Sequence, residues 1–126
     1  MRNRFQWPGK YKCAVSLTFD DGLTSQLKVA IPLLDRYGVK ATFYVNPSGD
    51  DWAERLKPWR KVSEEGHEIG NHTLTHPCSC VYPFSAGRCL EDMTLEDIEA
   101  DILEAQCRLE SITVNGRVVT FAYPCD

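Results

Sequence analysis

Asp20 and Asp21 stand side by side ahead of Gly22, His72 and His76 are spaced H-x-x-x-H, and Tyr123, Pro124, Cys125 and Asp126 form a third polar cluster. Two adjacent carboxylates repel, so a site that keeps both ionised ordinarily supplies a cation. Asp-Gly is equally a common turn, and the pair alone carries either reading. Histidines four residues apart can face one ion from a helical turn or a tight loop. The helical metalloprotease pattern needs Glu after the first His, whereas residue 73 is Thr. A zinc finger needs a C-x-x-C pair upstream, and none of the six cysteines has that spacing. Together, one Asp and two His make a ligand set that leaves a coordination position for water, with a spare carboxylate beside it.

The elements that must position these groups alternate in type. Lys12 to Phe19 puts Cys13, Val15, Leu17 and Phe19 on one face of an extended segment, a period of two that predicts a strand. From Ser25, Leu27, Ala30, Ile31 and Leu34 make a helical stripe closed by Gly38, with Pro32 requiring a bend. Lys40 to Val45 predicts a second strand. Asp50 or Asp51 can cap a helix carrying Trp52, Leu56 and Trp59, with a break expected near Pro58. His67 to Gly70 predicts a third strand, and residues 77–93 a long loop. Thr94 and Asp97 make a capping-box-like start for a helix whose stripe is Leu95, Ile98, Ile102, Ala105, Leu109 and Ile112. Val118 to Tyr123 predicts a fourth strand. The expected class is α/β, a parallel sheet with helices packed outside it. Four such units are about half of a closed α/β barrel, which typically needs roughly 250 residues. Each polar cluster follows a different strand, at the strand-to-loop ends where such folds gather their functional groups.

Composition narrows the classes. In 126 residues, 14 basic and 18 acidic side chains leave a net charge of −4, and 43% of positions are hydrophobic. The chain can bury a core, and its acidic balance without a basic stripe argues against a dedicated nucleic-acid binder. No apolar run approaches the roughly 20 residues of a membrane span. The N-terminus has no apolar stretch of the kind a secretory signal carries, and six cysteines leave the compartment open.

In four segments the sequence resembles the polysaccharide deacetylase family, the NodB-like carbohydrate esterases of family 4. These are TFDDG at Thr18 to Gly22, GVKATFYV at Gly38 to Val45, GHEIGNHTLTH at Gly66 to His76 and FAYPC at Phe121 to Cys125, in the family's order. The resemblance implies a partial (β/α) barrel of that type and removal of acetyl groups from an N- or O-acetylated carbohydrate. It implies Asp20 as general base, and Asp21, His72 and His76 as ligands of one divalent metal, usually zinc. Tyr123, Pro124 and Cys125 would form a groove wall for substrate, with the Cys125 backbone N–H facing the oxyanion. Two departures stand out: many relatives carry an Arg that braces the base where this chain has Ala122, and Tyr where it has Cys125. The family's later motifs, which bring a second catalytic His as general acid, would lie beyond Asp126, so residues 1–126 read as an incomplete domain. The alternative is a metal-binding, catalytically silent fragment or remnant that binds glycan or a protein partner.

Other residues take plainer readings. His67 is expected to be a packed, hydrogen-bonded histidine and Trp52 and Trp59 core residues. Cys107, opposite its helix's apolar stripe, is expected to be exposed; Cys78 and Cys80 follow His76 closely enough to join it in a soft metal site, and the plainer expectation for them is loop cysteines or a disulfide to Cys89. An open sheet edge at Val118 to Tyr123 would need covering, which predicts a homo-oligomer or a poorly stable isolated chain.

Overall fold

The computed structural model describes residues 7–85 and 89–125. Three parallel strands lie in the order β1 (Thr18–Phe19), β2 (Thr42–Val45), β3 (Glu68–Asn71). Between β1 and β2 runs a π-helical turn, Gln26–Ala30, that continues into α1 (Ile31–Arg36). Between β2 and β3 runs α2 (Trp52–Glu64), and after β3 come a short 3₁₀ turn (Leu90–Asp92) and α3 (Leu95–Glu110). The alternation expected from the sequence is present, and so are the parallel sheet and the helices packed on it.

The core follows from period-two strands meeting period-3.6 helices. Ala41, Phe43 and Val45 of the β2 segment and Ile69 of β3 are buried in one cluster with Ile31 of α1, Leu56, Trp59 and Val62 of α2, and Leu109 and Ile112 at the end of α3. Phe43 is the centre, stacked on Phe19 at 5.0 Å between ring centroids and tilted against Trp59 at 5.4 Å. Trp59 is core as expected, and Trp52 is partly buried under the Arg108 guanidinium. His67 is buried, accepts the Ala41 N–H at Nδ1, and faces Asp35 with Nε2.

The ends of the helices obey local rules. Gly38, at φ +64°, closes α1: its N–H reaches Asp35 O and the Val39 N–H reaches Leu34 O, a paired αL closure that a Cβ would strain. The bend demanded by Pro32 is met upstream. There the Ile31 N–H bonds back five residues to Gln26 O, so Pro32 falls in the first turn of α1, where its missing N–H costs nothing. Thr94 and Asp97 form the expected capping box on α3.

Several expectations need correction. The strand through Cys13, Val15 and Leu17 shrinks to Thr18–Phe19, and residues 12–17 are exposed. β2 is only four residues long, so the earlier stretch has no neighbour to pair with. α2 runs unbroken through Pro58. A proline inside a helix costs about 3 kcal/mol, while Leu56, Trp59 and Val62 each gain roughly 1.5–3 kcal/mol by burial on the sheet, so packing wins. Leu95 is exposed and lies outside the buried stripe of α3. The fourth strand, Val118 to Tyr123, is reduced to one parallel bridge, Asn71 to Phe121. Its backbone is taken elsewhere: Gln106 Nε2 donates to the Val118 carbonyl at 2.7 Å, leaving Asn71 N to Thr120 O and Ala122 N to Asn71 O as the ladder.

Candidate functional site

Asp21 follows β1 by two residues and His72 follows β3 directly; β1 and β3 flank β2 and run parallel, so their following loops leave the same end of the sheet and the first two clusters meet across β2. Asp21 Oδ1 lies 3.4 Å from His72 Nε2 and 3.1 Å from His76 Nε2. Two donors 2.0–2.1 Å from one tetrahedral ion lie about 3.3–3.4 Å apart, so these three side chains have the spacing of a metal's donor set. The two imidazoles meet edge to face at 4.9 Å. His72 is buried, His76 half-buried and Asp21 exposed, which leaves the cluster open on the carboxylate side.

The tautomer of His72 is set by its backbone partner. Its Nδ1 sits 3.0 Å from the carbonyl oxygen of Ala122. A carbonyl only accepts, so Nδ1 carries the proton and Nε2 turns its lone pair toward Asp21, the arrangement usual behind a metal-ligating histidine. The segment after the Asn71–Phe121 bridge thus serves the site through a main-chain group at residue 122.

The H-x-x-x-H spacing is realised in a loop, and the loop is held by residues the sequence reading left out. Asp101, buried on α3, accepts the Leu74 N–H at 2.7 Å, the Thr75 N–H at 3.2 Å and the Thr75 hydroxyl at 2.5 Å. Asn46, just past β2, donates to the carbonyls of Thr73 and Leu74. Asn71, 1% exposed, accepts the Thr73 N–H and donates to Ile102 O and Gln106 Oε1. A signal for Asp101 exists in the sequence: it stands among Ile98, Ile102 and Ala105 on the apolar stripe, where a carboxylate requires buried donors.

Asp21, Thr73, His76 and Cys125 are the non-glycine residues with positive φ among those described, at 74°, 63°, 53° and 60°. All four lie in the three clusters. For β-branched Thr73 this backbone is costly, and such conformations persist where surroundings over-determine them.

Asp20, one residue past β1, is half-buried, and its carbonyl accepts from Gln26 Nε2 at 2.5 Å. Tyr123 is 74% exposed, its ring edge-on to Phe121, and Pro124 is half-buried. Cys125 forms a disulfide with Cys78, and Cys80 pairs with Cys89. The loop-cysteine expectation therefore holds for Cys80, while Cys78 is tied across 47 residues to the third cluster. Cys13 and Cys107 are free and exposed, as expected for Cys107. No helix among the described residues is long and apolar enough to cross a membrane.

A family model described as polysaccharide deacetylase matches residues 9–125. The chain is 36% identical over 85 residues to a peptidoglycan-N-acetylglucosamine deacetylase of Bacillus cereus, covering 58% of this chain and 30% of that protein. Its structure superposes with a TM-score of 0.66 and 25% identity on the Xyl-CE4 domain of a multidomain xylanase from the hindgut metagenome of Trinervitermes trinervoides, covering 86% of this chain and 47% of that one. A mutant of a CE4 family pseudoenzyme of Bacillus anthracis, with restored enzymatic activity, gives a TM-score of 0.67 at 25% identity over 87% of this chain and 36% of that one. The chain spans less than half the length of each of these three proteins. The strand-end clusters, the α/β fold and a match over nearly every residue agree, and the chain belongs to the polysaccharide deacetylase family.

Proposed function

We propose that this chain carries the metal-binding and base-bearing part of a hydrolase that removes acetyl groups from an N- or O-acetylated carbohydrate. The observation that carries this reading is the convergence of Asp21, His72 and His76 donor atoms within 4.8 Å of one another, directly beside Asp20 in sequence. Asp21, His72 and His76 would hold one divalent ion, and the mixed nitrogen and oxygen donors suit zinc. When bound, that ion supplies Lewis acidity toward the acetyl carbonyl and the attacking water.

The chain's own residues do the remainder. Asp20 is the general base that takes the proton from water. Ala122 O and Asp101 act at one remove, the first by fixing the His72 tautomer and the second by fixing the loop that carries His76. The backbone N–H of Cys125 donates to the oxygen where negative charge develops, and Tyr123 and Pro124 line the sugar side of the groove. An amide substrate needs a proton on its departing amine, and an ester's alcohol leaves with less help.

A second reading, a metal-binding chain that is catalytically silent and binds glycan or a protein partner, is favoured by Ala122 standing where the family resemblance implies an Arg that braces the base. Asp20→Asn separates the two. Under the hydrolase reading it retains about one equivalent of metal and loses hydrolysis of acetylated oligosaccharides, whereas His76→Ala loses the metal as well. Undiminished turnover in Asp20→Asn would assign the base elsewhere, and full metal retention in His76→Ala would remove that residue from the ligand set.

A further inference from the structure

His76 has two ring nitrogens and they face different chemistries. Nε2 points to Asp21 at 3.1 Å. Nδ1 lies 3.4 Å from Cys78 Sγ and 3.9 Å from Cys125 Sγ. Histidines that ligate a metal through one nitrogen ordinarily give the other to a carboxylate or a carbonyl, as His72 does with Ala122 O. His76 instead presents Nδ1 to a pair of sulfurs.

We infer that, once the Cys78–Cys125 disulfide is reduced, Cys78, Cys125 and His76 Nδ1 form a second, soft metal site. Around a tetrahedral ion with N at about 2.0–2.1 Å and S at about 2.3 Å, nitrogen and sulfur donors lie about 3.6 Å apart. The two observed nitrogen–sulfur separations bracket that value. Reduction frees the sulfurs to part to the roughly 3.8 Å that two thiolates on one such ion require. Two thiolates and one imidazole are a donor set that selects zinc, cobalt or copper(I) over magnesium or calcium. Cys78 is buried, while Cys125 and His76 are partly exposed, so reductant and ion reach the site from the Cys125 side.

The chemistry balances with a dithiol as co-reactant. One of its thiolates attacks a protein sulfur and its second thiol resolves the mixed disulfide; two electrons and two protons pass to the protein, giving two thiols and the dithiol's own disulfide. A divalent ion then displaces both thiol protons and, where Nε2 of His76 already holds the first ion, the remaining ring proton as well, so that the imidazolate bridges the two ions. The loop at His76 and the segment at Cys125 are joined either by a covalent bond or by an ion. In the second state the His76 imidazole is held from its Nδ1 side. The site needs no hydrolytic activity and stands whether or not Asp20 is a base.

Cobalt(II) tests this directly, because thiolate-to-cobalt charge transfer gives near-ultraviolet absorption that nitrogen and oxygen ligands do not. Cys80 and Cys89 lie beside Asp92 as another thiol cluster, so the experiment uses the full chain carrying Cys80→Ser and Cys89→Ser. The protein is reduced with a phosphine, freed of reductant without oxygen, and titrated with cobalt(II). The expected result is a charge-transfer band that appears only after reduction, with about one more equivalent of cobalt than the oxidised protein takes. Adding Cys78→Ser or Cys125→Ser should remove the band. His76→Ala should weaken binding by at least the ~10–100-fold that loss of an outer-shell partner brings. Far-ultraviolet circular dichroism of the reduced protein should keep its helical signal. Absence of the band, its survival in Cys78→Ser, unchanged affinity in His76→Ala, or loss of the helical signal on reduction would each overturn the proposal.

Discussion

Asp101, midway along α3, accepts the hydroxyl proton of Thr75 at 2.5 Å and the Leu74 N–H at 2.7 Å, so one helical carboxylate fixes the loop between the two site histidines. Asp101→Asn keeps the side chain's size and turns one of the two acceptor oxygens that three donors share into an NH2 donor facing them. Metal affinity should fall ~10–100-fold while the helical content stays unchanged. Isothermal titration with zinc, beside circular dichroism, checks both halves of that expectation. An affinity equal to the parent's would show that the loop holds its shape without Asp101.

Chelation should loosen the protein as well as silence it. An ion at about one hundred times its dissociation constant adds about 2.7 kcal/mol to stability, because it binds only the folded donor set. The thermal midpoint should therefore drop on treatment with a chelator and recover with zinc, and His76→Ala should show neither change. A midpoint indifferent to chelator in the parent protein would count against the three-residue ligand set.

Acid should weaken one specific junction. The Asp35 carboxyl is held below its ordinary value of 3.8 chiefly by the Lys40 ammonium, which donates to it at 2.6 Å, and next by His67. A depressed carboxyl stabilises the fold above its unfolded value and ceases to do so as pH falls through the folded one. Asp35→Asn should thus be less stable than the parent near neutrality, and the gap should close below about pH 4. Because Asp35 is on the surface the gap is small, and it is best read from paired urea titrations at several pH values.

Gly70 is where β3 passes beneath the Tyr44 ring. A Cβ there would come within 2.4 Å of that ring and 2.8 Å of Thr120 Oγ1. Gly70→Ala should cost about 1–3 kcal/mol in chemical denaturation, the usual range for overpacking, and less in a Tyr44→Ala background, where only the Thr120 contact remains. Equal costs in both backgrounds would place the strain elsewhere.

What could be read from sequence was what neighbouring residues decide. The Thr94–Asp97 box, the Gly38 closure and the i, i+3, i+4 stripes are local, and they appear where the residue types put them. The polar clusters were legible because parallel strands deliver their following loops to one end, which is how Asp21 comes to meet His72 and His76. The unread part depends on distant partners. Asn46 and Asp101 look like a loop amide and a helical acid until the loop they hold is in place. The shortfall of β1 and the loss of the fourth strand were set by how few residues β2 offers and by Gln106 claiming the Val118 carbonyl. The partner of Cys78 lies 47 residues away, beyond any spacing rule.

The two-residue β1 also divides the site by local stability. β2 and β3 pair over four residues around buried Phe43 and Ile69, whereas β1 holds by two, with an exposed stretch leading into it. Amides in β2 and β3 should exchange with solvent deuterium only through near-global opening, and those around Thr18 to Asp21 through a far cheaper local one. The imidazoles are thus rooted in the slow-exchanging unit and the carboxylates in the fast one. An ion bridging Asp21 to the histidines would fasten the loose strand to the rest, making arrival of the metal the last step in completing the sheet's edge.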